Sequence, residues 1–358
     1  MENVLQKKKK GTVFVALSGG VDSSVAAALL KRAGFGVVGV YMKCWTADDP
    51  LYKGCTSLDD ERSARLAASH LEIPFYSWNF IKEYKEKVVQ YLINGYMEGA
   101  TPNPDIMCNK EIKFGLFYEK AMKLGADFIA TGHYARIRRY SSTSVILEGR
   151  DKNKDQSYFL SFIHPEVLSR VLFPIGEYTK PQVRELAKKF GLPNAERKDS
   201  QGICFIGKLD FSDFLAKHIP LEPGNIVDIL GNVLGKHAGL GLYTIGQRKG
   251  IKLSGGPYFV VRKEYAANIL VVSKNESDIL CKNAKVKDVR WLSLQEPKDL
   301  DMEVRLRYRQ KATPVRLEKT GDNSYALSFK DPQRAATPGQ FAAFYQGEEM
   351  VGAGVLTN

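Results

Sequence analysis

Two kinds of residue pattern in this 358-residue chain could do chemistry: one glycine-rich turn and two cysteines in unusual surroundings. The turn is Ser18-Gly19-Gly20-Val21-Asp22-Ser23-Ser24, entered through Ala16 and Leu17. It lies between an apolar run, Val13 to Leu17, and a stretch rich in helix formers, Asp22 to Arg32. Small residues let the backbone approach an anion closely, and a helix start offers unpaired N–H groups and a partial positive charge. Ser23 and Ser24 add hydroxyl donors. The turn lacks the lysine of a Walker A loop and does not follow GxGxxG. On these residues alone, an ordinary strand–helix turn with a Ser/Asp cap is the alternative.

The first cysteine, Cys108, lies in Thr101-Pro102-Asn103-Pro104-Asp105-Ile106-Met107-Cys108-Asn109-Lys110. Two prolines stiffen the approach, and the pattern places the thiol just before a helix beginning at Lys110. A helix N-terminus and a nearby lysine both favour a thiolate. Cys204 lies in Asp199-Ser200-Gln201-Gly202-Ile203-Cys204-Phe205, a Gly-containing loop. Taken singly, each is equally a core residue, since free cysteine is among the most buried types. With Cys44, Cys55 and Cys281 the total is five, without a CxxC pair, which argues against a disulfide scaffold or a structural zinc site.

The elements that must position these groups alternate through the first half. Strands are expected at Val13 to Leu17, Val37 to Met42, Pro74 to Phe80 and Asp127 to Thr131, with helices at Asp59 to Leu71, Ile81 to Glu98, Lys110 to Leu124 and Thr179 to Phe190. This order predicts a parallel sheet covered by helices on both faces. After Phe211 to His218 the chain becomes Gly-rich with short β runs, and from Cys281 onward strands and turns alternate to the end, with Gly321-Asp322-Asn323 as a hairpin turn. The expected division is residues 1–210, a small connecting domain at 211–277 and an all-β barrel or sandwich at 278–358.

Net charge is +12, from 52 Lys+Arg against 40 Asp+Glu, a balance suited to a polyanionic partner. No apolar run reaches the roughly 18 residues of a membrane span, and the polar start with its Lys7–Lys10 run does not resemble a secretory signal. That run is a solvated tail or a nucleic-acid arm. Arg305, Arg307, Arg309 and Lys311 alternate with Leu306, Tyr308 and Gln310, so a strand here would align four cations on one face. Such a face is either a charged edge that resists aggregation or a phosphate track.

The Ser-Gly-Gly-Val-Asp-Ser turn resembles the phosphate loop of the ATP pyrophosphatase (PP-loop) superfamily, whose members split ATP between the α and β phosphates and transfer AMP to an oxygen. Together with the segments around Cys108 and Cys204 it resembles the tRNA-specific 2-thiouridylase (MnmA) family. The likeness continues through Gly132-His133-Tyr134-Ala135-Arg136, Lys154-Asp155-Gln156-Ser157-Tyr158-Phe159-Leu160, Gly246-Gln247-Arg248-Lys249-Gly250 and Thr337-Pro338-Gly339-Gln340. It implies an α/β fold: a parallel-sheet adenine-nucleotide α-hydrolase-like (PP-loop ATPase) domain, a connecting domain and a C-terminal β-barrel.

The resemblance implies ATP-dependent adenylation of the C2 carbonyl of a wobble uridine in tRNA, then sulfur transfer from a persulfide on Cys204. Cys108 would be the partner thiol, leaving a transient Cys108–Cys204 disulfide, and Asp105 a general acid/base. By position, Ala16 to Ser24 with Met42 and Gly132 match the ATP pocket, with Mg2+ accompanying the triphosphate. Asn103, Pro104 and Asp105 match the contact to the target base. His133, Lys154, Asp155, Gln156, Arg307, Tyr308, Arg309 and Gln340 match tRNA contacts. The implied partners are tRNAs for Lys, Glu and Gln and a sulfur donor, either a cysteine desulfurase or a sulfur-relay protein, in the cytoplasm. Cys44 stands where the family more often has Asn and is expected to be a tolerated neighbour of the pocket. Cys55 takes a position where cysteine is frequent, and Cys281 is expected in the barrel core. The alternatives are another AMP-transferring PP-loop enzyme of the amide-forming type, which needs no cysteine pair, and an RNA-binding protein with a decayed nucleotide site. An iron–sulfur thiolase is disfavoured by the cysteine spacing.

Overall fold

The structure, a computed structural model, describes residues 10–46, 57–141, 143–198, 211–293 and 295–357. Cys55 and the segment 199–210 that contains Cys204 therefore lie outside the described residues, as do Lys7 to Lys9. The chain opens with β1 (Thr12–Ala16), α1 (Val21–Arg32), β2 (Gly36–Lys43), α2 (Ser57–His70) and β3 (Phe75–Asn79). Then come β4 (Phe128–Ala130), a hairpin of β5 (Ala135–Arg139) and β6 (Ser144–Glu148), and the short β7 (Val171–Leu172). Five of these strands form one parallel sheet in the order β3-β2-β1-β4-β7.

The apolar run in β1 serves both faces of that sheet. Val13, Val15 and Leu17 pack with Val25, Ala26 and Ala27 of α1, whereas Phe14 and Ala16 pack with Trp78 and Phe117 on the other side. A strand buried on both faces has no polar alternation, which is why it reads as continuously hydrophobic. Three successive alanines, Ala26 to Ala28, keep α1 thin where it lies against the sheet.

Two helical runs, 81–97 and 104–123, cover the second face, and each contains a π-helical stretch, at Lys85–Val89 and Cys108–Leu116. Lys87 and Glu111 join the two runs through a 3.0 Å ion pair. The second run begins at Pro104, not at Lys110. Proline is suited to a first helical turn because its φ is already helical and its missing N–H would have no partner there. Asn103 caps it, its side-chain oxygen accepting from the Ile106 N–H at 3.3 Å. The helix Lys180–Lys189 has the expected Pro181 in its first turn, a capping box from Thr179 and Gln182, and Gly191 at φ +64° beyond its end.

The second half folds into two β units. β8 (Gly224–Val227), β9 (Val233–His237), β10 (Phe259–Glu264) and β11 (Ile269–Ser273) form a sheet ordered β10-β11-β8-β9 around Ile226, Val260, Leu270 and Val272. β12 (Leu280–Trp291), β13 (Asp301–Arg305), β14 (Thr313–Gly321), β15 (Ser324–Arg334), β16 (Phe341–Gln346) and β17 (Glu349–Thr357) close into a six-stranded barrel through the β12–β17 pairing. The expected hairpin turn is present, with Gly321 opposite Ser324 and Asn323 at φ +51°. Cys281, expected in the core, is half-buried on β12, its thiol 3.4 Å from the Gln333 carbonyl.

One connection has no counterpart in the hydrophobic pattern. The β5–β6 hairpin belongs to the first half of the chain yet extends the barrel sheet, with Leu147 opposite Glu349 and Ile146 opposite Met350. Arg305, at the end of β13, locks this junction. Its guanidinium donates to Asp155 Oδ2 at 2.7 Å, pairs with Glu148 at the end of β6 and lies 4.7 Å from the Tyr345 ring centre. Asp155 also accepts from the Gly149 N–H at 2.8 Å and the Ser157 hydroxyl at 2.9 Å, and Ser157 reaches the Tyr345 hydroxyl at 3.1 Å. Towards solvent, Glu348 takes Arg136 at 2.7 Å and Lys152 at 3.0 Å, and these cations hold its carboxyl down at about 2.

Removing one member of a buried ion cluster strands the remaining charges away from water, at a typical cost of about 3–5 kcal/mol. Arg305→Ala is therefore expected to destabilise the barrel junction by about 3 kcal/mol or more, measured as a lowered denaturant midpoint with earlier proteolysis at the β5–β6 hairpin. A loss below about 1 kcal/mol would show that the cluster does not hold the junction.

Candidate active site

The phosphate-loop candidate lies at the carboxyl edge of the parallel sheet, where β1 passes into α1. Strand order reverses between β1 and β4, and ligands of open parallel sheets bind in the crevice at such a switch point. Gly132, just after β4, faces the start of α1 so closely that a Cβ there would lie 2.6 Å from the Ser23 nitrogen. Met42, at the end of β2, is buried opposite Trp78. The structure thus brings Ala16 to Ser24, Met42 and Gly132 to one edge of the sheet.

Within the loop, Gly19 takes φ +79°, a conformation that suits glycine, and a Cβ would lie 2.3 Å from the Asp60 carbonyl. Gly20 is the N-cap of α1, and Ser23 and Ser24 both donate their hydroxyls to its carbonyl at 3.1 Å. Ser18 is exposed, its hydroxyl 3.3 Å from that of Ser23. Asp22 binds Lys180 through both carboxylate oxygens, at 2.8 and 2.9 Å, and accepts from the Tyr134 hydroxyl at 2.8 Å. Lys180 and Tyr134 received no role from the sequence. Their one detectable signal was position, Tyr134 beside Gly132 and Lys180 at a helix start.

The cysteine-bearing helix connects to this edge through His133. Its ring lies 5.9 Å from Phe114 and 6.0 Å from Phe173, and its Nδ1 is 2.7 Å from the Thr131 hydroxyl. Burial pushes the imidazole well below its ordinary value of 6.5, and the charge of Lys113 acts in the same direction. The ring is thus buried in this structure, at 7% exposure. Cys108 is fully buried among core residues, in the second turn of its helix, not ahead of it. The helix start that the spacing placed beside its sulfur lies about one turn away, because Pro104 begins the helix. The next residue, Asn109, donates to the Phe159 carbonyl at 2.9 Å. Cys44 is buried too, in the same core as Met42 and Cys108.

Asn103, Pro104 and Asp105 form the partly exposed rim of this helix start. Asn103 donates to Gln340 Oε1 at 3.4 Å, and Gln340 donates to the Thr101 carbonyl at 2.7 Å, so the 337–340 loop of the barrel sits on the base-contact candidates. Next to it a cleft of about 610 Å³ runs between the helices and the barrel, lined by Tyr91, Lys110, Phe162, Lys287 and Arg290 among others. The Lys154–Gln156 stretch is only partly available. Asp155 belongs to the Arg305 cluster, Gln156 accepts from the Tyr134 N–H at 3.0 Å, and Lys154 is half-exposed.

The four-cation strand is not formed. Pairing of β13 stops at Arg305, and Arg309 has φ +62°, which breaks the alternation. Arg305 points into the ion cluster. Arg307 donates to the Ala335 carbonyl at 3.0 Å and to the Ile245 carbonyl and Thr337 hydroxyl at 3.4 Å each, tying barrel to middle sheet. Tyr308 packs on Phe159 with ring centres 4.4 Å apart, and Arg309 and Lys311 are exposed. Among the described residues no group of three or more His, Cys, Asp or Glu could hold a metal, and no helix is long and apolar enough to cross a membrane.

His133 gives a prediction with a definite sign. Its folded form stays neutral below pH 6.5 while the unfolded chain takes up a proton, so stability is complete above about 6.5 and falls as pH drops further. Urea unfolding from pH 7.5 to 5 is expected to show that loss, reduced in His133→Gln. An unchanged slope in the variant would remove His133 as its source.

Three family profiles match the chain in succession. One described as "tRNA methyl transferase HUP domain" covers residues 11–208, a "tRNA methyl transferase PRC-barrel domain" covers 212–274, and an "Aminomethyltransferase beta-barrel domain" covers 281–356. The tRNA-specific 2-thiouridylase MnmA of Oceanobacillus iheyensis is 45% identical over 358 aligned residues, spanning 98% of this chain and 96% of that protein. The protein of the same name from Bacillus licheniformis is 46% identical, over 96% and 94% of the two chains. A solved 4-thiouridine synthetase–RNA complex with bound ATP aligns over 59% of this chain and 50% of that one, at 21% identity and a TM-score of 0.35, too slight a likeness to argue from. With relatives at this identity along almost its whole length, the chain belongs to the tRNA-specific 2-thiouridylase family.

Proposed function

We propose that this protein carries out ATP-dependent 2-thiolation of the wobble uridine of tRNA, with AMP activating the base and a cysteine persulfide supplying sulfur. The observation that carries this reading is the phosphate loop at the switch point of the sheet, connected through His133 and Phe114 to the helix that holds Cys108. Two of the profile descriptions speak of methyl transfer, whereas the near-full-length relatives are thiouridylases. Thiolation is favoured, because activating a carbonyl oxygen with AMP consumes a triphosphate and methyl transfer does not call for one.

A uridine C2 carbonyl is a poor electrophile with a poor leaving oxygen. In the proposed sequence its oxygen attacks the α-phosphorus of ATP, pyrophosphate leaves, and the base carries AMP. The terminal sulfur of a Cys204 persulfide then forms a bond to C2 and AMP departs. The Cys108 thiolate attacks the Sγ of Cys204, the S–S bond to the transferred sulfur breaks, and a Cys108–Cys204 disulfide remains for a thiol reductant to open. Backbone N–H groups at the start of α1 bind the phosphates, with Ser18 and Ser23 as further donors. A Mg2+ ion would accompany the triphosphate and supply charge neutralisation at its phosphates. Lys180 and Tyr134 hold the Asp22 carboxylate in place. Asp105 moves protons at the base, and Asn103 and Pro104 shape its seat. Cys108 is fully buried, so its thiol is shielded from bulk solvent.

The substrate set follows from the resemblance: tRNAs for Lys, Glu and Gln, with a cysteine desulfurase or relay protein as sulfur donor, in the cytoplasm. Contacts from Lys154, Arg309 and Gln340 would position the RNA, and the surplus of 52 Lys+Arg over 40 Asp+Glu suits its phosphates. The test is incubation with MgATP, a cysteine desulfurase with free cysteine as the persulfide donor, and unmodified tRNA, followed by nuclease digestion and mass detection of 2-thiouridine. Product is expected only with ATP, to vanish in Cys204→Ser and to fall at least about 100-fold in Cys108→Ser, in line with loss of a covalent-catalysis group. Undiminished product from Cys204→Ser would rule out the persulfide route.

A further inference from the structure

Three side chains from outside the phosphate loop converge on one of its atoms, the Gly19 carbonyl oxygen. Ser63 on α2 donates its hydroxyl at 2.7 Å, Asn194 its amide at 2.9 Å and Arg197 its guanidinium at 3.2 Å. Each donor is itself fixed. Arg197 pairs with Asp60 of α2, and the Asn194 amide also donates to the Ser24 hydroxyl at 2.9 Å within a site where Asn194 is only 6% exposed.

The consequence follows from the planarity of the peptide. In a trans peptide the C=O of one residue and the N–H of the next point in opposite directions, so fixing one fixes the other. Holding the Gly19 oxygen against Asn194, Arg197 and Ser63 turns the Gly20 N–H the other way, towards the Ser18 side of the loop, where it lies 3.4 Å from the Ser18 hydroxyl. Gly20 is the N-cap of α1, at the point where an anion would meet the helix. Neither glycine has a Cβ to resist rotation of this peptide plane, so its orientation depends on the external donors.

We propose that Asn194 and Arg197 are positioning residues that orient the Gly19–Gly20 peptide for phosphate binding. This rests on the reading of the loop as the ATP site. A phosphate arriving at the start of α1 then meets a peptide whose N–H is already turned by the donors on its carbonyl side.

The full chain is titrated calorimetrically with MgATP and separately with tRNA, as wild type, Asn194→Ala, Arg197→Gln, Arg197→Lys and Ser63→Ala. The two disruptive variants are expected to raise the Kd for ATP about tenfold, equivalent to about 1.4 kcal/mol, with tRNA affinity unchanged. Arg197→Lys is expected to recover most of that loss. Ser63→Ala, the mildest truncation, is expected to raise it about threefold, which keeps the test decisive if a larger change prevents folding. Folded variants with wild-type ATP affinity would overturn the proposal. Wild-type protein that binds no ATP would overturn the reading of the loop itself and this inference with it.

Discussion

One largely buried arginine anchors the junction between the two halves of this molecule. Arg305 stands at the end of a barrel strand, yet its charge is answered by Glu148 and Asp155, both from the first half of the chain. A guanidinium can serve two carboxylates at once because its donors are spread in a rigid plane, and the Tyr345 ring beneath it excludes water. Asp155 gains its remaining partners from Gly149 and Ser157, which leaves the Arg305 Nε as the one cluster nitrogen without a hydrogen-bond partner among the described residues. Buried charges of this kind add little net stability relative to an apolar core, but they tolerate no substitute geometry. The barrel is thereby set in one register against the nucleotide-binding domain.

That register matters because the residues for the proposed reaction come from separate units. The phosphate loop belongs to the parallel sheet, Cys108 to a helix on its far face, and Gln340 to the barrel. Aromatic packing of His133 on Phe114 and Phe173 joins the first two, and hydrogen bonds from Asn103 to Gln340 and from Gln340 to Thr101 join the last two. Tyr158 ties the same region together by donating to the carbonyls of Leu306 and Phe341. None of these contacts is local in sequence. Those made to Gln340, Leu306 and Phe341 depend on the barrel being docked.

The sheet, the glycine turn after β1 and the helix Lys180–Lys189 were legible because their signals are local: a doubly buried strand, a glycine pair before a helix, and a Thr-Lys-Pro start with Gly191 after the end. The closed barrel was legible only as a class, since six short strands do not state their own order. What failed did so for identifiable reasons. Alternating charge at 305–311 imitates a strand, but hydrogen-bond pairing ends at Arg305 and the following residues turn. The thiol of Cys108 looked like a helix-start residue because Pro104 was taken as a breaker when it is the starter. His133 and Asp155 matched a family pattern for RNA contact, while their burial follows from Phe114, Phe173 and Arg305, residues far away in the chain. The β5–β6 hairpin was missed altogether, since its pairing with β17 spans about two hundred positions and leaves no periodic trace.

That hairpin also orders events during synthesis. β6 is buried along its length in the finished protein, and its outer partner, β17, is the last strand of the chain. Residue 147 meets residue 349, so a ribosome working at roughly 5–20 residues per second leaves the β6 edge without its partner for roughly 10–40 s. During that interval the nucleotide-binding sheet can form while an apolar strand edge stays open to other chains. The nascent protein thus has a vulnerable period fixed by its topology, which ends only when its last strand emerges.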